Sequence, residues 1–534
     1  MTMPGDIDFG TGISHWGGNL TAAILNGTIP QWRIDDMAVR IMAAFYKVGR
    51  DEARVPTNFD SWTDDTDGYL YWQAQEGYTK INDHINVQDN HAQLIREIGG
   101  RSVVLLKNTN HTLPLQNPAS IAVIGEDAHS NPGGPNSCSD RGCDIGTLAM
   151  GWGSGTANFP YLVAPVDALR AKARSAFTNV SDNYDLAAVA AAVQGAEVAL
   201  VFANADSGEF YITVDGNSGD RNNLTLWGGG DDLIATVAAN NKNTVVVLHT
   251  VGPVLVEAIK NHPNVTAILW AGLPGQESGN SITDVLYGVR NPSAKSVFTW
   301  GKQRSDWGVD VLYNSSLENP QIDFTEGNFI DYRYFDAHDI EPSYEFGFGL
   351  SYTTFEYSNL EISKSYAGPY TPTTGMTKPA PTFGKIDYNV SDNEFPSGFD
   401  AVQKYVYPYV TQDDPLTGGG VVPPGSQDGS PQPNLGSGGS PGGNGKLYDV
   451  LYEVTVDITN TGSVDGIEVV QLVSSFDINY SILLSRENGA YVHILTPTAH
   501  STSASADLRT PKSSCEVSTT SPSMLASKRP SNSK

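Results

Sequence analysis

Short, continuous runs of apolar residues recur along the middle of the chain, and they alternate regularly with stretches that predict helices. Five runs predict strands, at residues 121–124, 199–203, 245–249, 265–270 and 297–300. Four of the intervening stretches predict helices, at residues 186–193, 232–239, 254–260 and 278–286. Strands that are apolar throughout are typical of a mostly parallel sheet with helices on both faces. The pattern therefore predicts an open α/β sandwich, introduced at 92–108 by a helix that runs into a short strand or turn.

The segments before this domain carry a weaker pattern. Apolar side chains at helical spacing predict one helix within residues 31–50, at Ile34, Met37, Ile41, Phe45 and Val48. What precedes this helix is too short to form a domain, so we expect the chain to be truncated at its N-terminus. Residues 51–90 are polar and aromatic with little periodicity, and they are interpreted as an extended connector.

The last part of the chain changes character twice. Residues 365–445 are rich in Pro, Gly and Ser and are interpreted as a long insert or linker, because they cannot bury enough apolar surface to fold. Residues 446–473 alternate apolar and polar positions around a glycine-containing turn, which predicts an antiparallel strand pair at the start of a β-sandwich. From 474 to 534 the pattern is lost, and we expect a disordered or mis-spliced tail.

The charge balance narrows the range of partners. The 534 residues include 59 acidic and 32 basic side chains, which gives a formal net charge of -27. This balance argues against nucleic acid or an anionic membrane surface, since a phosphate-rich partner requires an excess of Lys and Arg. No apolar run reaches the roughly 18 residues that span a bilayer. A neutral small-molecule substrate fits this composition better.

Other features point to an oxidising compartment, although the start of the chain shows no signal peptide. Cys138 and Cys143 lie five residues apart in a glycine-containing loop and are interpreted as a disulfide. A zinc site there would need two more ligands, and only His129 is close, so no metal is expected. Eight Asn-x-Ser/Thr acceptor sequences, typical of the secretory route, occur at Asn19, Asn26, Asn110, Asn179, Asn223, Asn264, Asn314 and Asn389.

One carboxylate occupies a position that suits catalysis. Glu209 follows a buried apolar strand where that strand runs into a glycine-rich loop, and ligands of open α/β sheets bind beyond the carboxyl ends of the strands. Glycosidic bond cleavage usually needs one protonated and one ionised carboxyl group. A glutamate at the mouth of an apolar crevice would have its pKa raised, which suits the acid role. Position alone leaves open that Glu209 is one solvated loop acid among many.

Several segments, in order along the chain, resemble those of a known family. They are MPGDIDFG from Met3, LLKN from Leu105, AVIGEDA from Ala122, the cysteine-containing loop from Gly134, NADSGEFYITVDGNSGDRNNLTLW from Asn204 and GFGLSYTTF from Gly347. Together they are similar to fungal β-glucosidases of glycoside hydrolase family 3, over roughly residues 3 to 470.

The resemblance implies a domain organisation. The family joins a (β/α)-barrel, an α/β sandwich and a fibronectin type III-like sandwich, with the active site between the first two. Residues 1–50 would then be the end of the barrel and 51–90 the connector. Residues 91–364 would be the α/β sandwich with a C-terminal extension, and 446–473 the start of an incomplete fibronectin type III-like domain.

The resemblance also implies roles for individual residues. Glu209 would be the acid/base, Ser154 would belong to the glucose-binding subsite, and Tyr211 would be the aromatic residue at the next sugar site. Phe210 departs from the family, which more often has glycine there, and its side chain would narrow the sugar site.

The nucleophile implied by the resemblance is the aspartate of a Ser-Asp-Trp segment shortly before MPGD, and this chain begins after it. A Ser305-Asp306-Trp307 triplet follows the sandwich domain instead, so Asp306 is interpreted as a surface coincidence. We therefore expect this chain to be inactive alone.

The function implied for the parent enzyme is hydrolysis of terminal non-reducing β-D-glucosyl residues of cellobiose and other β-glucosides. The mechanism would be retaining, without a cofactor, in a secreted glycoprotein. Two alternatives stay open: a non-catalytic carbohydrate-binding or scaffold fragment, and a β-xylosidase-type relative. The sequence does not indicate the sugar specificity or the oligomeric state.

Overall fold

A computed structural model of the protein describes residues 31–52, 59, 63–71, 75–138, 143, 145–153, 156–208, 213–214, 216–311, 322–365, 375–376, 449–475, 491–494 and 515–516. The chain divides into two compact units. One comprises Met1–Val87 with Glu361–Val454, and the other comprises Gln88–Leu360 with Thr455–Lys534. Among the described residues, no helix combines the length and the apolar character needed to cross a bilayer.

The first unit contains helix α1 (Gln31–Lys47) and strands β1 (Asp67–Tyr71) and β2 (Glu76–Lys80). The predicted helix is confirmed. The two strands pair antiparallel, with Tyr69 opposite Tyr78 and their rings edge to face at 5.1 Å between centroids. Part of the segment interpreted as an extended connector is therefore a hairpin, which aromatic cross-strand pairs stabilise without an apolar alternation.

The second unit is built on a six-stranded sheet. In chain order its elements are α2 (His91–Arg101), β3 (Val104–Asn108), β4 (Ser120–Ile124), α3 (Pro165–Lys172), β5 (Ala176–Val180), α4 (Leu186–Val193), β6 (Val198–Ala205), β7 (Thr213–Val214), β8 (Asn217–Ser218), α5 (Gly230–Asn240), β9 (Thr244–Thr250), α6 (Glu257–Lys260), β10 (Val265–Trp270), α7 (Ser278–Leu286) and α8 (Tyr332–Ala337). The strands lie in the order β3-β10-β9-β6-β4-β5. All neighbours are parallel except β3, which runs antiparallel to β10.

Both faces of this sheet are covered by helices. Successive residues of β6 enter different apolar clusters, Val201 one and Leu200 the other. Ile234 of α5 belongs to the first cluster, and Leu169 of α3 and Val285 of α7 belong to the second. All eight residues of β6 are buried, which explains why the run is apolar without alternation. The predicted α/β fold is confirmed.

Some predicted elements differ from the structure. The run 297–300 forms no strand, and only Trp300 makes an isolated bridge, to Tyr344. Its two aromatic side chains pack against each other and against Trp270, because Phe298 lies 5.0 Å from Trp270 and 4.9 Å from Trp300 between ring centroids. The unpredicted β5 is an edge strand in which no residue is fully buried, so its sequence carries little apolar signal.

The remaining strands lie in the last part of the chain. β11 (Phe355–Lys364) pairs with β12 (Tyr452–Asn460), and β13 (Leu472–Ser475) pairs antiparallel with both β14 (Tyr491–Ile494) and β15 (Cys515–Glu516). The segment expected to be a patternless tail thus contributes short strands.

The predicted alternation along β12 is present, since Val454, Val456 and Ile458 are half-buried while Thr455 and Asp457 are exposed. The predicted hairpin after it is wrong, because β12 pairs with β11 and residues 461–471 contain no strand. The barrel and the fibronectin type III-like domain stay predictions.

Candidate active site

The order of the parallel strands reverses once. From β4 the chain moves outward to β5, then returns past β4 to β6 and continues to β9 and β10. In open α/β sheets, ligands bind beyond the carboxyl ends of the strands at such a reversal, here between β4 and β6. Residues 125–128 leave β4 and residues 206–208 leave β6 at this edge. The topology alone therefore makes the carboxyl edge of β6 the candidate site.

Asp206, the first residue after β6, is almost completely buried, with 1% of its surface exposed. Its Oδ1 accepts a hydrogen bond from the backbone N–H of Ser207 at 2.8 Å. Its Oδ2 has no hydrogen-bond partner among the described residues. Gly151 lies close by, since a Cβ added to it would be 3.3 Å from Asp206 Oδ1.

Ser207 ties the end of β6 to a neighbouring loop. Its hydroxyl donates to Oδ1 of Asp220 at 3.1 Å and accepts from the backbone N–H of Arg221 at 3.2 Å. The Arg221 guanidinium in turn donates to the carbonyl of Pro253 at 3.0 Å, just beyond β9. The carboxyl ends of β6 and β9 are thereby connected.

Gly208 lies directly against the indole of Trp152. A Cβ added to Gly208 would be 1.9 Å from Trp152 Nε1, so any other residue would force the ring or the backbone to move. Trp152 itself packs on Trp227 at 5.7 Å between ring centroids, and the backbone N–H of Trp227 donates to Asn204 O at 2.9 Å. The backbone that leads into residue 209 is thus held against a buried tryptophan pair.

The pKa of Asp206 at this edge is unusually high for an aspartate. Burial raises the pKa of Asp206 to about 7, although the hydrogen bond from Ser207 and the positive charge of Arg221 both act to lower it. Burial likewise lowers the pKa of Arg221, against the raising effect of Asp206. The Asp206 carboxyl therefore changes its protonation state near neutral pH.

A second buried polar pair connects the strands on either side of β6. His249 Nδ1, near the end of β9, lies 2.7 Å from Asp127 Oδ2, just after β4, and the two side chains are 0% and 2% exposed. The other oxygen of Asp127 accepts from the backbone N–H of Leu148 at 2.8 Å. His249 Nε2 has no hydrogen-bond partner among the described residues.

The cysteine-containing loop brings Gly151 and Trp152 to this edge. Cys138 and Cys143 are joined by a disulfide, with 5.9 Å between their Cα atoms. Asn131 Nδ2 donates to Cys138 Sγ at 3.3 Å and to the carbonyl of Ile145 at 3.2 Å, which closes the base of the loop.

A cavity of about 370 Å³ lies elsewhere in the second unit. Its lining includes Arg290, Asn291, Asn460 and Glu468, and none of its lining residues belongs to the carboxyl edge of the sheet. Choosing the site by the volume of this cavity would therefore give a different place from the one that the strand order indicates.

Residues 103–352 match the family model described as the glycosyl hydrolase family 3 C-terminal domain. Beta-glucosidase A of Aspergillus kawachii is 54% identical to this chain over 492 residues, which cover 89% of this chain and 57% of that relative. Residues 103–352 of the chain belong to glycosyl hydrolase family 3. The family resemblance carried by the sequence segments is confirmed.

Solved structures of family 3 members are similar as well. A beta-glucosidase of this family from Neurospora crassa has a TM-score of 0.77 at 53% identity, covering 93% of this chain and 62% of that chain. Chaetomium thermophilum beta-glucosidase has a TM-score of 0.76 at 54% identity, with the same coverage of 93% and 62%. The chain spans about three fifths of the length of these family 3 relatives.

Three predicted site residues, Glu209, Ser154 and Tyr211, lie outside the residues that the structure describes. The described segments that lead into Ser154 and Glu209 are in contact, because Gly208 lies against Trp152. We call residues 151–153 and 206–208 the stems of the two predicted site segments. The structure thus brings these two stems together.

Asp306 was interpreted as a surface coincidence, and the surface part of that interpretation is wrong. Asp306 is 7% exposed, and its Oδ2 accepts backbone N–H hydrogen bonds from Lys302 at 2.8 Å and Gln303 at 3.1 Å. It caps the short helical turn Arg304–Trp307. Its described contacts are those of a helix cap.

Sequence reasoning did not single out Asp206, Trp152, Arg221 or His249. A signal existed for Asp206, an acid that ends an eight-residue buried run. A signal also existed for Trp152, which lies between two glycines. The pairing of His249 with Asp127 spans 122 residues, and only the strand order brings the two together.

Proposed function

We propose that the protein to which this sequence belongs hydrolyses terminal non-reducing β-D-glucosyl residues of cellobiose and other β-glucosides by a retaining mechanism, in which this sequence supplies the acid/base. One observation carries the proposal: the acid/base candidate Glu209 directly follows Gly208, whose backbone is held against Trp152 at the carboxyl edge of the sheet. The printed names of the relatives, beta-glucosidases at 54% and 53% identity, support the substrate class.

In this mechanism Glu209 acts twice. It first donates a proton to the glycosidic oxygen while a second carboxylate attacks the anomeric carbon, and it then removes a proton from the water that hydrolyses the glucosyl intermediate. A rigid stem favours both steps, because proton transfer depends on placing the carboxyl group within hydrogen-bond distance of each oxygen. We assign the attacking carboxylate to no residue of this sequence.

The substrate-binding part of the proposal concerns Ser154 and Tyr211. Ser154 would hydrogen-bond the terminal glucose, and the ring of Tyr211 would pack against the next sugar. The contact between the stems 151–153 and 206–208 supports one shared site for these segments. Phe210 would narrow that site.

We also propose that the protein is secreted and that its chain follows the family's domain order. The Cys138–Cys143 disulfide and the acceptor sequences support an oxidising, secretory route. The proposed organisation is a barrel end at 1–50, a connector at 51–90, the α/β sandwich at 91–364, an insert at 365–445, the start of a fibronectin type III-like domain at 446–473 and a tail at 474–534.

Because this chain is expected to be inactive alone, the function is tested by hydrolysis of an aryl β-D-glucoside by the whole protein to which this sequence belongs, and by the Glu209→Ala variant of that protein. A general acid/base contributes about 100- to 10,000-fold, so we expect a loss of that order in the variant. Azide needs no general base, so it should restore turnover in the variant and yield β-D-glucosyl azide. The matched control is Glu197→Gln, an exposed carboxylate at the opposite end of β6, which should retain the wild-type rate.

The same assay separates the alternatives. Faster cleavage of an aryl β-D-xyloside than of the glucoside would favour a β-xylosidase-type specificity. Glucose binding by calorimetry with no turnover of either substrate would contradict the enzyme and favour a carbohydrate-binding fragment. Turnover unchanged in Glu209→Ala would contradict the assigned role.

A further inference from the structure

Asp206 is a buried acid that the proposed mechanism does not use. Its residue surface is 1% exposed, and one of its two carboxyl oxygens has no hydrogen-bond partner among the described residues. A buried charged oxygen without a partner is far more costly than a buried neutral one. The site therefore favours the neutral carboxylic acid and disfavours the carboxylate.

The loop that follows β8 brings one charge that acts on Asp206 and one carboxylate that binds its neighbour Ser207. Arg221 acts on Asp206 through its positive charge, but its guanidinium donates to the carbonyl of Pro253. Asp220 is exposed and accepts the hydroxyl hydrogen of Ser207. Among the described contacts, the Arg221 guanidinium thus acts on Asp206 through its charge and is hydrogen-bonded to Pro253 instead.

Among the described residues, the other segments near Asp206 offer no further compensating charge. The segment 151–153 contributes two glycines and a tryptophan, and Leu273 beyond β10 is apolar. On β9, His249 is hydrogen-bonded to Asp127 through Nδ1. These surroundings therefore do not stabilise the charged form of Asp206.

We propose that Asp206 is a positioning residue: in its neutral form it fixes the stem 206–208, and its ionisation releases that stem. Contacts on both sides hold the stem in place. The Ser207 hydroxyl hydrogen-bonds to Asp220 and to the backbone N–H of Arg221, and Gly208 lies against Trp152. A charged Asp206 turning toward water or toward Arg221 must displace Ser207 with it. The consequence for catalysis rests on the proposed function, since the stem leads into Glu209.

Because burial raises the pKa of Asp206 to about 7, the release of the stem should occur in a pH range in which it can be measured. Native-state amide hydrogen exchange of Ser207 and Gly208, corrected for intrinsic rates, measures it directly. In the wild type we expect protection of these two amides to fall about tenfold or more between about pH 5 and about pH 9. Amides of Leu200 and Val201 in the same strand should keep their protection.

The Asp206→Asn variant cannot ionise and should keep the low-pH protection at both ends of this range. The matched control is Asp182→Asn, because Asp182 accepts a similar local hydrogen bond, from the N–H of Tyr184 at 2.9 Å, but is exposed. That control should behave as the wild type does. A wild type without the pH-dependent change, or an Asp206→Asn variant that retains it, would overturn the proposal.

Two further measurements of amide exchange ensure that the experiment supports or overturns the proposal. If Asp206→Asn does not fold, the wild-type exchange profile alone decides, since its presence or absence does not depend on the variant. Glu209→Gln should leave the pH-dependent exchange of Ser207 and Gly208 intact while it removes the acid/base. Failure of the β-glucosidase assignment is therefore distinguishable from failure of the role given to Asp206.

Discussion

The two ends of β6 and β9 are built in different ways. At the amino edge of the sheet, the buried side chain of Asn241 hydrogen-bonds to the surrounding backbone through both its nitrogen and its oxygen. At the carboxyl edge, the polar atoms Asp206 Oδ2, His249 Nε2 and Trp227 Nε1 are buried without partners among the described residues. Buried polar groups are normally paired, and exceptions call for an explanation.

Asn241 shows how the amino edge is organised. It is 6% exposed, and its Nδ2 donates to the carbonyls of Val193 at 2.9 Å and Ala196 at 2.8 Å. Its Oδ1 accepts from the backbone N–H of Asn243 at 2.8 Å. This network joins the ends of α4, α5, β6 and β9 and has the character of a structural brace.

The unpaired polar atoms at the carboxyl edge lower the stability of the folded state there, in contrast to the paired side chain of Asn241 at the amino edge. Three of the ten buried side-chain atoms that have no partner among the described residues lie at this edge. Because proteins tend to break the rules of polar pairing at functional sites, these three atoms support the placement of the active site there. The following variants break or sharpen this comparison, from the largest expected effect to the smallest.

Gly208→Ala should have the largest effect on stability at the carboxyl edge. Its Cβ would overlap Trp152, so we expect the free energy of unfolding to fall by about 3 kcal/mol in urea denaturation. Adding Trp152→Ala should recover part of this loss in a double-mutant cycle. Gly195→Ala is the amino-edge control: its Cβ would meet no atom within 4 Å, so only the strain at φ +81° remains, about 1–2 kcal/mol. Equal losses at the two glycines would contradict the close contact.

Asp206→Asn should change how stability depends on pH. The folded-state pKa of Asp206 is raised from 3.8 to about 7, so its contribution to stability is full below about pH 4 and is lost as pH rises through about 7. The variant has no such loss, and relative to wild type it should gain about 2–4 kcal/mol between pH 4 and pH 8. Urea denaturation across this range measures the difference, and parallel curves would argue against a raised pKa.

Asn241→Ala should destabilise the amino edge without any pH dependence. It leaves the carbonyls of Val193 and Ala196 buried without their donor, at a cost of about 2 kcal/mol in the free energy of unfolding. Turnover by the folded fraction should match the wild type. A selective loss of turnover would show that the amino edge is not purely structural.

Glu197→Gln should have the smallest effect. Glu197 is exposed and accepts from the backbone N–H of Ala119 at 2.6 Å, and the glutamine carbonyl oxygen preserves an acceptor. We expect a change in the free energy of unfolding within about 0.5 kcal/mol. A larger loss would indicate that the negative charge itself stabilises this edge.

Several elements could be predicted from the sequence because their pattern is local. The predicted ranges 186–193 and 278–286 coincide with helices Leu186–Val193 and Ser278–Leu286, and the apolar run of β6 identifies a strand buried on both faces. Edge strand β5 was missed because it buries little, and the hairpin after β12 was wrong because the partner of β12 lies about 90 residues upstream.

The candidate site shows the same limit. The position of Glu209 after an apolar strand and the family segments pointed to the carboxyl edge from sequence. The partners that shape this edge come from distant parts of the chain: Trp152 contacts Gly208, and Asp127 reaches His249 across β6. Such contacts follow from strand order, which no local pattern specifies.

The most direct test of the carboxyl edge as the sugar site is amide hydrogen exchange with and without glucose. The account predicts that glucose protects amides at residues 151–153 and 206–208 and leaves those at 195–198 and 241–244 unchanged. Protection at the amino edge, or a bound sugar that protects neither edge, would contradict it.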